Sequence, residues 1–144
     1  MSKSDLPARE FMRRDVITVR ETDTAWDVAR VLSEHGITGA PVVNEAGEVV
    51  GVVSQTDIVR HLEAVAATFG NGQFYDDAEG ETSRPNPSVQ AVDLMSPDVI
   101  EAPEDTPASV LCRVMLTRRI HRIIITRGRR IQGIVTTLDL LKVL

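Results

Sequence analysis

One cysteine, one tryptophan, one tyrosine and three phenylalanines are all that this 144-residue chain holds of the residues that staple small folds or stack on bases. A single thiol closes no internal disulfide. No aromatic residue occurs between residues 76 and 144, so that half has nothing from which to build a stacking platform for single-stranded nucleic acid. Long apolar runs are also missing. The greasiest stretches are short and rich in Val and Ile, far below the 18 or more residues of a membrane span, and Met1-Ser2-Lys3-Ser4-Asp5 lacks the apolar core of a signal peptide. The expectation is a cytoplasmic protein with no membrane partner. The sequence contains no metal-ligand spacing, P-loop, dinucleotide glycine fingerprint or serine elbow, so no catalytic residue, metal or cofactor is expected.

What is present is ordinary globular material: 42% hydrophobic residues and 16 basic against 21 acidic side chains, a net charge of −5. A chain of this length buries roughly 68–70% of its unfolded surface, as one domain or as two halves sharing an interior. The negative balance argues against bulk nucleic-acid binding. The charge is uneven, however, because Pro107 to Leu138 contains no acidic residue while Arg113, Arg118, Arg119, Arg122, Arg127, Arg129 and Arg130 all fall there. Such a stretch is a solvated face, a partner for acidic segments, or a site for an anion.

The chain repeats itself. Sliding it by 83 residues sets Met12, Asp15, Val16 and Ile17 on Met95, Asp98, Val99 and Ile100, and after a one-residue gap Gly51 and Asp57 meet Gly133 and Asp139. About 13 of 51 aligned positions are identical, where average composition gives roughly three or four. The resulting division is an N-terminal extension 1–10, repeat 1 over 11–67, a connector 68–92 rich in Gly, Pro and acidic residues, and repeat 2 over 93–144. Each repeat reads as strand, helix, strand, strand, helix. Val16 to Val19 is a β-branched run. Thr22 or Asp23 is expected to cap a helix with Ala25, Val28, Ala29 and Leu32 on its apolar face, ended by Gly36. Val42 and Val43 lead through Asn44-Glu45-Ala46-Gly47 into the strand Val49 to Val53, and Thr56 or Asp57 is expected to open the second helix. In repeat 2, Thr106-Pro107 is expected to cap the first helix, and Arg127-Gly128-Arg129 connects strands Ile120 to Thr126 and Ile131 to Val135.

The order of elements, Ala40-Pro41-Val42 in the second strand, and the paired motifs Gly51-Val-Val-Ser54-Gln-Thr-Asp57 and Gly133-Ile-Val-Thr136-Thr-Leu-Asp139 resemble a tandem pair of CBS domains. The resemblance spans nearly everything but the first ten residues and the connector. It implies an α+β fold, two β-α-β-β-α repeats packed sheet to sheet as a pseudo-twofold module, with two clefts between them that accept adenosine-containing ligands. It also implies that Asp57 and Asp139 accept ribose hydroxyls, that Ser54 and Thr136, with Thr56 beside them, stand at the phosphate side, and that His121 and Arg122 contact phosphates. By the same resemblance Ser54 and Asp57 face the strand of His121 and Arg122, while Thr136 and Asp139 face Thr38 and Pro41. Thr18, Thr38 and Ile100 lie near the base. The alternative for each motif is a simple helix cap. Repeat 1 has Thr38-Gly39 where repeat 2 has His121-Arg122, and Ile124 replaces Pro41, so the two sites are expected to be inequivalent. Cys112 stands at the place of Ala29 and reads as core.

The functional expectation is a stand-alone regulatory module that is not an enzyme, binds AMP, ADP or ATP as ligand, requires no cofactor, and signals to an unidentified protein by conformational change. A homodimer through exposed helix faces is expected, with Trp26 and the helix beginning at Thr24 as candidates for the contact. Two alternatives stay open: a structural dimerisation module with vestigial clefts, and nucleic-acid binding through the arginines of repeat 2.

Overall fold

Thr24 stops the extended backbone and starts the first helix. Its hydroxyl accepts from the Asp27 amide at 3.1 Å while the Asp27 carboxylate accepts from the Thr24 amide at 3.1 Å, a reciprocal cap that fixes the start at Ala25. The cap is therefore Thr24. The expected Asp23 instead accepts from the Arg20 amide at 2.9 Å, tightening the turn ahead of the helix. The computed structural model describes residues 3–69 and 89–143, so most of the expected connector 68–92 lies outside the described residues.

Those residues form two compact units. The first holds residues 17–46, 50–69 and 89–98. Its elements are β1 (Val19–Arg20), α1 (Ala25–His35), β2 (Gly39–Val43), β3 (Val49–Ser54), α2 (Gln55–Phe69) and the short α3 (Ala91–Leu94). Val49 at the start of β3 is grouped with the other unit. The sheet order is β1-β2-β3, with β1 parallel to β2 in the register Val19 to Val42 and Arg20 to Val43. The ladder begins only at Val19, so the first strand is shorter than the run Val16 to Val19 suggests. Val19, Val28, Leu32, Ala40, Val42, Val53, Ile58 and Ala91 make the core. In β3, Val49, Gly51 and Val53 alternate inward, as a period of two requires. Gly36 ends α1 at φ 61°, a left-handed conformation that glycine adopts without cost.

The second unit holds residues 3–16, 47–49 and 99–143. Here β4 (Glu101–Ala102) runs parallel to β5 (Arg122–Arg127), which pairs antiparallel with β6 (Arg130–Thr136). Gly128 and Arg129, both at positive φ (57° and 66°), make the two-residue mirror-image turn that suits the twist of a hairpin. α4 (Ala108–Arg118) starts at Pro107, the N-cap itself, with no side-chain hydrogen bond, so Thr106 does not cap it. The fixed φ of proline presets this start. α5 (Thr137–Leu141) closes the unit. Ala8, Met12, Ala108, Leu111, Met115, Ile123, Ile125, Val135 and Leu140 form its core.

Each repeat's leading segment packs with the other repeat. Ala8, just ahead of repeat 1, and Met12, at its start, are buried in the unit of repeat 2, and Ala91, just ahead of repeat 2, and Met95, at its start, pack in the unit of repeat 1. No described helix is long and apolar enough to cross a membrane.

Candidate functional site

Each glycine of the repeated motif is where a leading segment lies down. Arg13 and Ile134 exchange two backbone hydrogen bonds at 2.9 Å across Gly133, and Ser96 and Val52 exchange two at 2.9 Å beside Gly51. A Cβ on Gly133 would stand 2.6 Å from Met12 Sδ and 2.8 Å from the Arg13 carbonyl oxygen; one on Gly51 would stand 2.8 Å from the Ser96 carbonyl oxygen. Only a residue without a side chain admits the second backbone.

Three residues later comes the cap. In repeat 1 the Ser54 amide and hydroxyl both donate to Asp57 Oδ2, at 2.8 and 3.0 Å, and the Asp57 amide donates back to Ser54 Oγ at 3.3 Å. In repeat 2 the Thr136 amide and hydroxyl donate to Asp139 Oδ2 at 2.9 and 3.0 Å, and the Asp139 amide donates to Thr136 Oγ1 at 3.3 Å. Ser54 and Thr136 are thus the caps, not Thr56 or Asp57, because the aspartate sits at the third helical position where its carboxylate reaches back. Both carboxylates are largely withdrawn from solvent, with side-chain exposures of 18% for Asp57 and 6% for Asp139.

The two copies part at the other carboxylate oxygen. Asp57 Oδ1 lies 3.9 Å from Arg60, whose side chain is 73% exposed, and accepts no hydrogen bond among the described residues. Asp139 Oδ1 accepts from Arg13 Nε at 3.2 Å. Position 13 aligns with Ser96, whose hydroxyl accepts from the Asp98 amide at 3.3 Å and makes no bond to Asp57 among the described residues.

A further backbone bond ties each cap to the strand beside it. The Gln55 amide donates to the Thr38 carbonyl at 2.9 Å and the Thr137 amide to the His121 carbonyl at 3.0 Å. Within the first unit this sets Ser54 and Asp57 beside exposed Thr38 and half-buried Gly39; within the second it sets Thr136 and Asp139 beside exposed His121 and half-buried Arg122, which is the register partner of Thr136. Thr56 lies exposed on the first turn of α2, and Thr18 is exposed just ahead of β1. Pro41 is buried in β2, as Ile124 is in β5, and half-buried Ile100 accepts from the Ile124 amide at 3.1 Å. Arg13 is the residue that motif reading misses. The difference between Arg13 and Ser96 is visible in the repeat alignment, but nothing local says which carboxylate 126 residues away it meets.

Among the described residues no three His, Cys, Asp or Glu side chains cluster to hold a metal. A cavity of about 610 Å³ is lined by Arg9, Glu101, Glu104, Asp105 and Arg127 and touches no motif residue. Two of its charges, Arg127 and Glu104, form an ion pair. In each unit a groove runs between the two helices, lined by Leu32, Gln55 and Ile58 in the first and by the matching Met115, Thr137 and Leu140 in the second.

The CBS domain family model matches residues 8–64 and 91–144. An uncharacterized protein of Methanopyrus kandleri is 33% identical over 93% of this chain, which spans 60% of that protein's length. The CBS domain of a CBS domain-containing membrane protein from Sphaerobacter thermophilus superposes with a TM-score of 0.75 at 28% identity, covering 98% of this chain and 89% of that one. CBSX2, solved in complex with AMP, superposes with a TM-score of 0.73 at 21% identity over 95% of this chain and 94% of its own. With the duplicated α+β unit, the glycine-docked leading segments and the paired Ser/Thr–Asp caps accounted for, the chain belongs to the CBS domain family and carries two CBS repeats.

Proposed function

We propose that this CBS pair binds an adenosine nucleotide and regulates a protein it is attached to or associates with. The observation that carries the reading is the Asp57 carboxylate. It is withdrawn from solvent, one oxygen is locked in the cap, and the other accepts no hydrogen bond among the described residues. A carboxylate held in this way is preorganised to accept two ribose hydroxyls. The AMP in CBSX2 supports the choice of ligand. Asp57 and Asp139 are the ribose acceptors in this reading, with Thr18, Thr38 and Ile100 on the base side. The Ser54 and Thr136 hydroxyls already donate to their own aspartates, so they have no proton left for a phosphate in this arrangement. The phosphate term therefore falls chiefly on Arg122, assisted by His121. The role is regulatory and non-catalytic, in the cytoplasm, and signalling requires that the ligand bind one conformation better than another.

Titration calorimetry with adenosine, AMP, ADP and ATP tests this. Asp57→Asn keeps an oxygen for the Ser54 cap but turns an amide toward the ribose, and is expected to weaken binding to the Asp57 site by about 10- to 100-fold for all four ligands. Arg122→Ala is expected to weaken the three nucleotides and spare adenosine. Absence of binding by all four ligands at millimolar concentration overturns the reading and leaves a structural dimerisation module.

The homodimer belongs to the same proposal. Leu116, Leu138 and Leu141 are 76%, 55% and 69% exposed on α4 and α5, more apolar surface than two short helices leave bare without a partner. Trp26 on α1 is 40% exposed. Light scattering at tens of micromolar is expected to give a dimer, and Leu116→Glu a monomer; a monomeric wild type overturns it.

A further inference from the structure

Arg13 occupies the carboxylate that the second motif needs. An ionised carboxylate offers about four acceptor positions, two on each oxygen. On Asp139, the Thr136 amide and hydroxyl fill those of Oδ2, and Arg13 Nε fills one on Oδ1 at 3.2 Å. A ribose presenting two hydroxyls needs two, and one remains. Asp57 keeps both positions on Oδ1.

The contact is built rather than incidental. The Arg13 backbone is fixed to Ile134 by two hydrogen bonds and seated over Gly133, which lacks the Cβ that would push it away. Its side chain is 53% exposed, so the guanidinium is free to turn into solvent from that fixed anchor, whereas the Asp139 side chain it covers is 6% exposed. The equivalent residue in the other copy, Ser96, does not reach the aspartate.

We infer that Arg13 is a ligand-determining latch: it competes with ribose for Asp139, so that the Asp57 motif fills first and the Asp139 motif fills only when the guanidinium is displaced. The inference rests on the adenosine reading above. It makes the difference between the two sites a property of a residue outside both motifs, and it gives the molecule two ligand thresholds from two nearly identical caps.

The test uses neutral adenosine, which removes phosphate contacts from the comparison. In an Asp57→Asn background the Asp57 site is weakened and a two-site fit isolates the Asp139 motif. Adding Arg13→Ser, the residue that the other copy carries, is expected to tighten adenosine binding by about 5- to 10-fold, the scale of a half-exposed charge-assisted contact. Arg13→Gln, which keeps the length and a neutral donor, is expected to tighten it less and guards against a misfolded serine variant, with melting curves run on both. If wild type binds adenosine and neither Arg13 variant binds it more tightly in the Asp57→Asn background, the latch is wrong while the nucleotide reading stands. If the variants weaken AMP but not adenosine, Arg13 is a phosphate contact and the latch is equally wrong. If neither wild type nor any Arg13 variant binds adenosine, the latch falls, and the nucleotide reading is decided by AMP, ADP and ATP; binding that appears only with Arg13→Ser supports the latch.

Discussion

At the scale of single residues, the motif glycine does different work from the aspartate it precedes. Gly133 admits Met12 and Arg13 against β6, and it is the backbone approach that makes the position unforgiving. Met12 Sδ, 2.6 Å from an added Cβ, ends a flexible side chain and can move; the Arg13 carbonyl, at 2.8 Å, cannot move without giving up its bond to Ile134. Gly133→Ala is expected to cost about 1–3 kcal/mol, read from the midpoint of urea unfolding. An unchanged midpoint would show that the leading segment is held loosely. The repeat made Gly51 and Gly133 conspicuous in the sequence, and Ser54, Asp57, Thr136 and Asp139 were legible by type and spacing. Their reasons were not. A cap is a local contact that spacing reveals, whereas the segment lying on Gly133 and the guanidinium on Asp139 come from more than a hundred residues away.

At the scale of elements, the two first helices end at equivalent places with different chemistry. Gly36 closes α1 at φ 61° and Arg119 closes α4 at φ 56°. A left-handed non-glycine residue costs about 1–2 kcal/mol, so Arg119→Gly is expected to stabilise the protein by about 1 kcal/mol after allowance for the greater freedom of glycine in the unfolded chain, and Gly36→Arg to destabilise it similarly. Thermal melts of the pair decide this; equal and unchanged midpoints would contradict it. At the other end of α1, the Thr24 amide and hydroxyl hold the Asp27 carboxyl below its ordinary range, with Arg30 assisting. A depressed carboxyl contributes stability above its unfolded value near 3.8 and loses it as pH falls through the folded value. The Asp27 side chain is 37% exposed, so the contribution is small. Asp27→Asn should lower stability at pH 7 and converge on wild type below that range. Helix positions and the hairpins are readable from periodicity, but cap positions slip by one to three residues. Thr22, Asp23 and Thr24 are all good caps by type, and only the return bond from Asp27 selects Thr24. The Gln90 amide bond to Asp93 that starts α3 repeats that four-residue pattern at a place where composition suggested only connector.

At the scale of the molecule, duplication in sequence is not duplication in space, because each unit is completed by residues that lead the other repeat. The unit of repeat 2 takes Ala8, fully buried, and Met12, 8% exposed, from the first sixteen residues. It also takes backbone bonds from Ala8 to Thr106 at 2.8 Å, from Arg9 to Glu104 at 2.9 Å and from Ala108 to Leu6 at 2.9 Å, together with the pair joining Arg13 to Ile134. Removing residues 1–16 deletes all of these while leaving every residue of β4, α4, β5, β6 and α5 in place. The lost burial of Met12 alone is worth about 1.5–3 kcal/mol, and Ile134 is left with an amide and a carbonyl that have lost their partners. Amide hydrogen exchange on the chain lacking residues 1–16 is expected to show lost protection in β6 and at the start of α4, while β1, β2 and α1, whose core draws on Ala91 and Met95 instead, keep theirs. Equal protection in β6 with and without the segment would mean that repeat 2 completes its own core. Uniform loss across both sets of elements would mean that the segment stabilises the fold as a whole rather than the unit it packs in.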